Sequence, residues 1–150
     1  MLFRSRQLTV EQLAELFEGR TRFVERLATV EDPLGQAGAV AGELSDDEKY
    51  EVLDAHPAIG APATSTRSAR EQGTDDDPQV LAELAELNRA YEEKFGFRFV
   101  VFVDRRPRRE IIPILRERLR RTRTEELETG VDELVRIALD RWSTGRWRTS

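Results

Sequence analysis

Phe97-Arg98-Phe99-Val100-Val101-Phe102-Val103 is the one segment of this 150-residue chain with the aromatic, β-branched composition of a strand. No second segment offers itself as a pairing partner. The strip therefore reads as a buried extended element between helices, and its backbone N–H and C=O groups need partners from neighbouring loops, water or a ligand. Outward from it the sequence is helical on both sides. Upstream, Asp77-Pro78 supplies a cap and a first-turn proline to a helix carrying Val80, Leu81, Leu84, Leu87, Asn88 and Tyr91, interrupted at Gly96. Downstream, a helix from about Arg108 carries Ile111, Ile112, Leu115 and Leu119, with Pro113 expected in its first turn. A last helix runs from Thr124 through Leu127, Val131, Leu134, Val135 and Ala138 to Trp142.

The N-terminal half follows the same pattern. Thr9-x-x-Gln12 and Ser45-x-x-Glu48 have capping-box spacing and open helices bearing Leu13, Leu16 and Phe17, and Tyr50 and Leu53. A short helix lies between them at Phe23, Val24 and Leu27. Residues 31–44, with Pro33, Gly35, Gly38 and Gly42, read as a loose connection. The expected fold is all-α: a single-domain multihelical bundle over residues 1–150, with seven or eight helices and one extended buried segment at about 97–103.

Composition narrows the chemistry. The chain has no cysteine and one histidine, His56, which excludes disulfides, thiolate metal sites and multi-histidine metal centres. The formal charge is −5, from 24 basic and 29 acidic residues. Residues 104–123 hold nine arginines against Asp104, Glu110 and Glu117, a local +6 that leaves −11 for the rest. These arginines interleave with an apolar stripe and carry no aromatic stacking residues among them. A solvated outer face is expected in place of a nucleic-acid surface. With no apolar leader and no run long enough to cross a bilayer, the expectation is a cytoplasmic protein without a membrane partner.

Three groups could carry chemistry. His56 precedes Pro57, so it belongs at a helix end, either as a half-exposed cap or as a proton-transfer group with a pKa near ~6.5. Ser68, Glu71 and Gln72 share one face of a short helical stretch, a mixed donor and acceptor set suited to a small polar heterocycle or a ureido group. The 97–103 strip is either plain core or a source of backbone contacts to a ligand. Asp75-Asp76-Asp77 reads as a helix N-terminus and not as a metal site.

Taken in order, these pieces resemble the family of 2-oxo-4-hydroxy-4-carboxy-5-ureidoimidazoline (OHCU) decarboxylases of urate degradation. The resemblance rests on Ala55-His56-Pro57-Ala58-Ile59-Gly60, Ser68-x-x-Glu71-Gln72, Leu87-Asn88-x-x-Tyr91 leading into Phe95-Gly96-Phe97-Arg98-Phe99-Val100, and Ile137-Ala138-Leu139-Asp140-Arg141-Trp142. Phe17-Glu18 and Phe23-Val24-Glu25 resemble its opening helices. The resemblance implies an all-α homodimer, without cofactor or metal, that forms (S)-allantoin and carbon dioxide from OHCU. It implies that His56 and Glu71 are catalytic. It further implies that Pro57, Ser68, Ala69, Arg70, Gln72, the backbone of Phe99, Val100, Val101, Phe102 and Val103, and Arg141 bind the substrate. The family commonly has an acidic residue where this chain has Ala58, and a longer connection from the histidine to the Ser-x-x-Glu-Gln motif. A related ureide lyase or hydrolase using the same histidine, and a non-enzymatic helical interaction module, are the alternatives.

Overall fold

The computed structural model describes residues 8–59 and 77–145. These form seven helices: α1 (Val10–Phe17), α2 (Arg22–Leu27), α3 (Pro33–Gly42), α4 (Asp46–Asp54), α5 (Pro78–Phe95), α6 (Arg108–Arg118) and α7 (Arg123–Thr144). No strand occurs among the described residues. The expected all-α architecture is the one found.

Local chemistry sets the helix ends. The side chains of Thr9, Ser45 and Thr122 each accept a hydrogen bond from the backbone N–H of the residue three positions on, whose own side-chain oxygen accepts one from the capping residue's N–H. Two of these boxes are those expected from the sequence. The third starts α7 at Arg123, one residue before the expected Thr124. Asp77 caps α5 with Pro78 in its first turn, and Gly96 closes it at φ +83°, a left-handed conformation open to glycine at little cost.

Two local expectations are corrected. Residues 33–42 are a helix and not a loose connection. Pro33 sits at its start, where the missing N–H costs nothing, and Leu34, Ala37, Val40 and Ala41 share the buried face. The glycines that suggested a loop, Gly35, Gly38 and Gly42, lie on the exposed side. Pro113 is the sixth residue of α6 and not a first-turn residue. It points to solvent, where water can hydrate the Arg109 carbonyl that loses its helical donor.

Helix α7 is the spine. It packs against α1, α3 and α4, while α5 pairs with α6. Gly130 permits the approach of α4: a Cβ there would stand 3.1 Å from Leu53 Cδ2. The strip lies across α5 as a run of rings, with Phe97 and Phe99 edge-on to Tyr91 at 6.0 and 5.2 Å. It is buried as expected, apart from the half-buried Arg98 and Phe102.

Candidate active site

The strip's backbone finds its partners in side chains, not in a neighbouring strand. The N–H of Arg98 donates to Asp54 Oδ1 at 3.0 Å and that of Phe102 to Glu133 Oε1 at 2.9 Å. The carbonyl of Val100 accepts from Arg118 Nη1 at 2.8 Å, and that of Val103 from Arg106 Nε at 2.8 Å. Four groups that a sheet would have paired are thus satisfied by charged side chains from the surrounding elements.

This corrects the reading of the 104–123 arginines as an outer face. Arg118 is buried and is 4.6 Å from the Phe99 ring centroid. Its Nε donates to Glu126 Oε1 at 2.7 Å, an oxygen that also accepts from Tyr91 Oη at 2.6 Å. Arg121 reaches the other Glu126 oxygen at 3.0 Å. Burial, and then the Glu126 carboxylate, push the Tyr91 phenol up, so it stays protonated and donates. Arg105, Arg109, Arg116, Arg120 and Arg123 are exposed as expected.

His56 stands just past α4. Its N–H donates to Leu53 O at 3.1 Å, and Pro57 prevents the helix from continuing. The side chain is 5% exposed, which overturns the half-exposed cap. Its Nε2 makes no hydrogen bond among the described residues. Burial, then the cations of Arg141 and Arg98, lower its pKa to about 3. The imidazole is therefore neutral at pH 7 and buried, in place of the ordinary pKa expected from sequence.

Two side chains hold the segment that carries it. Arg98 Nη1 donates to the carbonyls of Asp54, at 3.3 Å, and of His56. Asn88 Nδ2 donates to Ile59 O at 2.9 Å. The sequence signal for Asn88 is an amide within the apolar stripe of α5, between Leu84 and Tyr91.

The expected site residues divide into three groups. His56 and Arg141 come together, since the Arg141 charge acts on the imidazole. Arg141 is 2% exposed, and its donors include bonds to Leu16 O at 2.7 Å and Glu18 Oε2 at 3.1 Å. Pro57 is half-buried beside His56. In the strip, Phe99, Val100, Val101 and Val103 are buried and Phe102 is half-buried, with the Phe102 N–H and the Val100 and Val103 carbonyls already engaged by side chains. Ser68, Ala69, Arg70, Glu71 and Gln72 lie outside the described residues, as do Asp75 and Asp76. Among the described residues, no group of three His, Asp or Glu side chains could hold a metal ion, and no helix is long and apolar enough to cross a membrane.

Comparison with known proteins gives this geometry a context. The chain is 35% identical over 136 residues to a uric acid degradation bifunctional protein of Arabidopsis thaliana, covering 79% of this chain and 42% of the relative. It is 31% identical over 113 residues to the 2-oxo-4-hydroxy-4-carboxy-5-ureidoimidazoline decarboxylase of Halalkalicoccus jeotgali, covering 71% and 64%. A uric acid degradation bifunctional protein of Bacillus sp. (strain TB-90) matches at 29% over 102 residues, 65% of this chain and 20% of the relative. The chain thus spans less than two thirds of these curated relatives. A crystal structure of OHCU decarboxylase in the presence of (S)-allantoin superposes with TM-score 0.75 at 25% identity, covering 89% of this chain and 96% of that one. A crystal structure of (S)-allantoin synthase shares the fold, with TM-score 0.66 at 22% identity, over 90% of this chain and 48% of that one. The family model described as OHCU decarboxylase matches residues 4–143, and this chain belongs to that family.

Proposed function

We propose that the chain is a carboxy-lyase of urate degradation, converting OHCU to (S)-allantoin and carbon dioxide as one domain over residues 1–150. The observation that carries this reading is the buried His56, neutral and with Nε2 unengaged among the described residues, next to the Arg141 cation. A neutral imidazole accepts a proton. A guanidinium nearby favours an anion, and the substrate is a carboxylate.

The reaction needs little else. When the bond between the ring carbon and its carboxylate breaks, carbon dioxide leaves and the electron pair passes into the conjugated ring as an enol or enolate. The hydroxyl proton is lost as that carbon becomes a carbonyl. A proton added to one face of the ureido-bearing carbon sets the S configuration. In this scheme His56 takes the hydroxyl proton and returns it to the ureido-bearing carbon, while the ring nitrogen that receives the electron pair takes a second proton from water, which balances the negative charge of the lost carboxylate. Glu71, by the family resemblance, orients the imidazole or the ureido N–H groups. Donors aimed at the developing oxyanion contribute a few kcal/mol each by preorganisation. Because the ring accepts the electrons, the scheme calls for no electron-sink cofactor and no metal. Pro57, Ser68, Ala69, Arg70, Gln72, the strip from Phe99 to Val103 and Arg141 form the substrate surround in this proposal. A cytoplasmic homodimer acting on this small molecule, and not on nucleic acid, completes it.

OHCU generated in place from urate by urate oxidase and hydroxyisourate hydrolase provides the test. Circular dichroism follows optically active allantoin, which should appear faster than in the spontaneous, racemic decay. His56→Ala and Glu71→Ala should each lower the enzymatic rate at least ~10²-fold, the scale of a lost acid–base group. No acceleration by the unaltered protein would overturn the reading.

A further inference from the structure

We propose that Arg98 and Asn88 are positioning residues that clamp the segment from Asp54 to Ile59 and so hold the His56 side chain in place for proton transfer. This rests on the decarboxylase reading. The segment leaves α4 without regular structure, and Pro57 contributes no N–H. Its carbonyls at Asp54, His56 and Ile59 all receive side-chain donors, the first two from Arg98 and the third from Asn88.

The pairing with Arg98 is reciprocal. The Asp54 carboxylate accepts the Arg98 backbone N–H at 3.0 Å, while the Arg98 guanidinium returns to the Asp54 carbonyl at 3.3 Å. Glu92 Oε2, 3.3 Å from Arg98 Nε, fixes the guanidinium from α5. The end of α4, the end of α5 and the start of the strip are thereby tied at one residue, Arg98, which also donates to the carbonyl of the residue that carries the imidazole. A planar fork suits this task and an ammonium does not, because the donors must reach two carbonyls and a carboxylate in fixed directions.

The clamp also sets charge. Among the described residues, the charged groups around His56 are Arg141 from α7 with its partner Glu18 beyond α1, Arg98 from the strip with its partner Glu92 from α5, and Asp54 from α4. The two arginines disfavour a third cation, which adds to burial in keeping the imidazole neutral.

Position and charge separate experimentally, because a chain with one histidine gives one set of imidazole NMR signals. In Arg98→Gln the titration midpoint of His56 should rise and kcat should fall ~10–100-fold, with KM within ~3-fold, the scale of a misplaced reacting group. Arg98→Lys should hold the midpoint closer to that of the unaltered chain while still losing kcat. Asn88→Ala should lose kcat with the midpoint unmoved. Values of kcat within ~2-fold of the unaltered chain in all three, with imidazole signals unshifted, would overturn the clamp. If Arg98→Gln does not fold, the other two variants decide on the same readouts. If the unaltered chain does not accelerate OHCU decay, the decarboxylase reading falls, and the imidazole signals still decide whether these residues position His56.

Discussion

The buried histidine makes the stability of this protein depend on pH in a defined direction. His56 has its pKa lowered from 6.5 to about 3 in the folded chain. Between those values the unfolded chain binds a proton that the folded chain refuses, so acidification favours unfolding. Each pH unit below 6.5 removes about 1.4 kcal/mol. From pH 8 to pH 5 the loss from this one group is about 2 kcal/mol, a substantial share of the ~5–15 kcal/mol typical of a domain. Urea unfolding of the unaltered chain and of His56→Gln at pH 8, 6.5 and 5 isolates the effect, because no other histidine titrates and the carboxylate contributions are common to both. The stability difference between them should move by about 2 kcal/mol toward the variant at pH 5. A difference constant to within ~0.5 kcal/mol across that range would refute the argument, since it would mean that His56 protonates as easily folded as unfolded.

Glycine positions give opposite expectations. Gly130→Val should cost about 1–3 kcal/mol, because its Cβ meets Leu53, whereas Gly38→Ala, with nothing within 4 Å, should gain about 0.5–1 kcal/mol from helix propensity; thermal melts measure both. Glu126→Gln should destabilise by about 3–5 kcal/mol in chemical denaturation, since it leaves the buried Arg118 charge without its counter-ion. In the activity assay, the acid limb of kcat/KM should fall well below pH 6.5, because that profile reports the free enzyme's base and His56 resists protonation.

What could be read from the sequence was what is local. The boxes at Thr9 and Ser45, the cap at Asp77 and the stop at Gly96 each depend on residues within one helical turn, so their spacing alone predicts them. The strip was legible for the opposite reason: no second segment could pair with it. Helix α3 was not, because its glycines and proline argue against helix residue by residue, and only packing against α2 and α7 reveals the Leu34, Ala37, Val40 and Ala41 face. His56 was placed correctly at a helix end, but its burial depends on parts of the chain distant in sequence, and Arg98 and Arg141 act on it only once folded. Arg118 and Glu126 carry no signal in runs of like residues. Nothing local distinguishes the buried Arg118 from the exposed and half-buried arginines around it.

The heptapeptide from Phe97 to Val103 has the make-up of a segment that stacks into fibrils, apart from one cation at Arg98. In the native molecule it offers little for another chain to copy, because carboxylates and guanidiniums engage the N–H groups of Arg98 and Phe102 and the carbonyls of Val100, Phe102 and Val103, and the helices cover its rings. That protection is supplied by α4, α5, α6 and α7, and it disappears with them. Solubility during synthesis or mild heating is therefore governed by how soon those four helices close over seven residues, and a mutation far from any reaction chemistry that delays their docking would first show itself as precipitate.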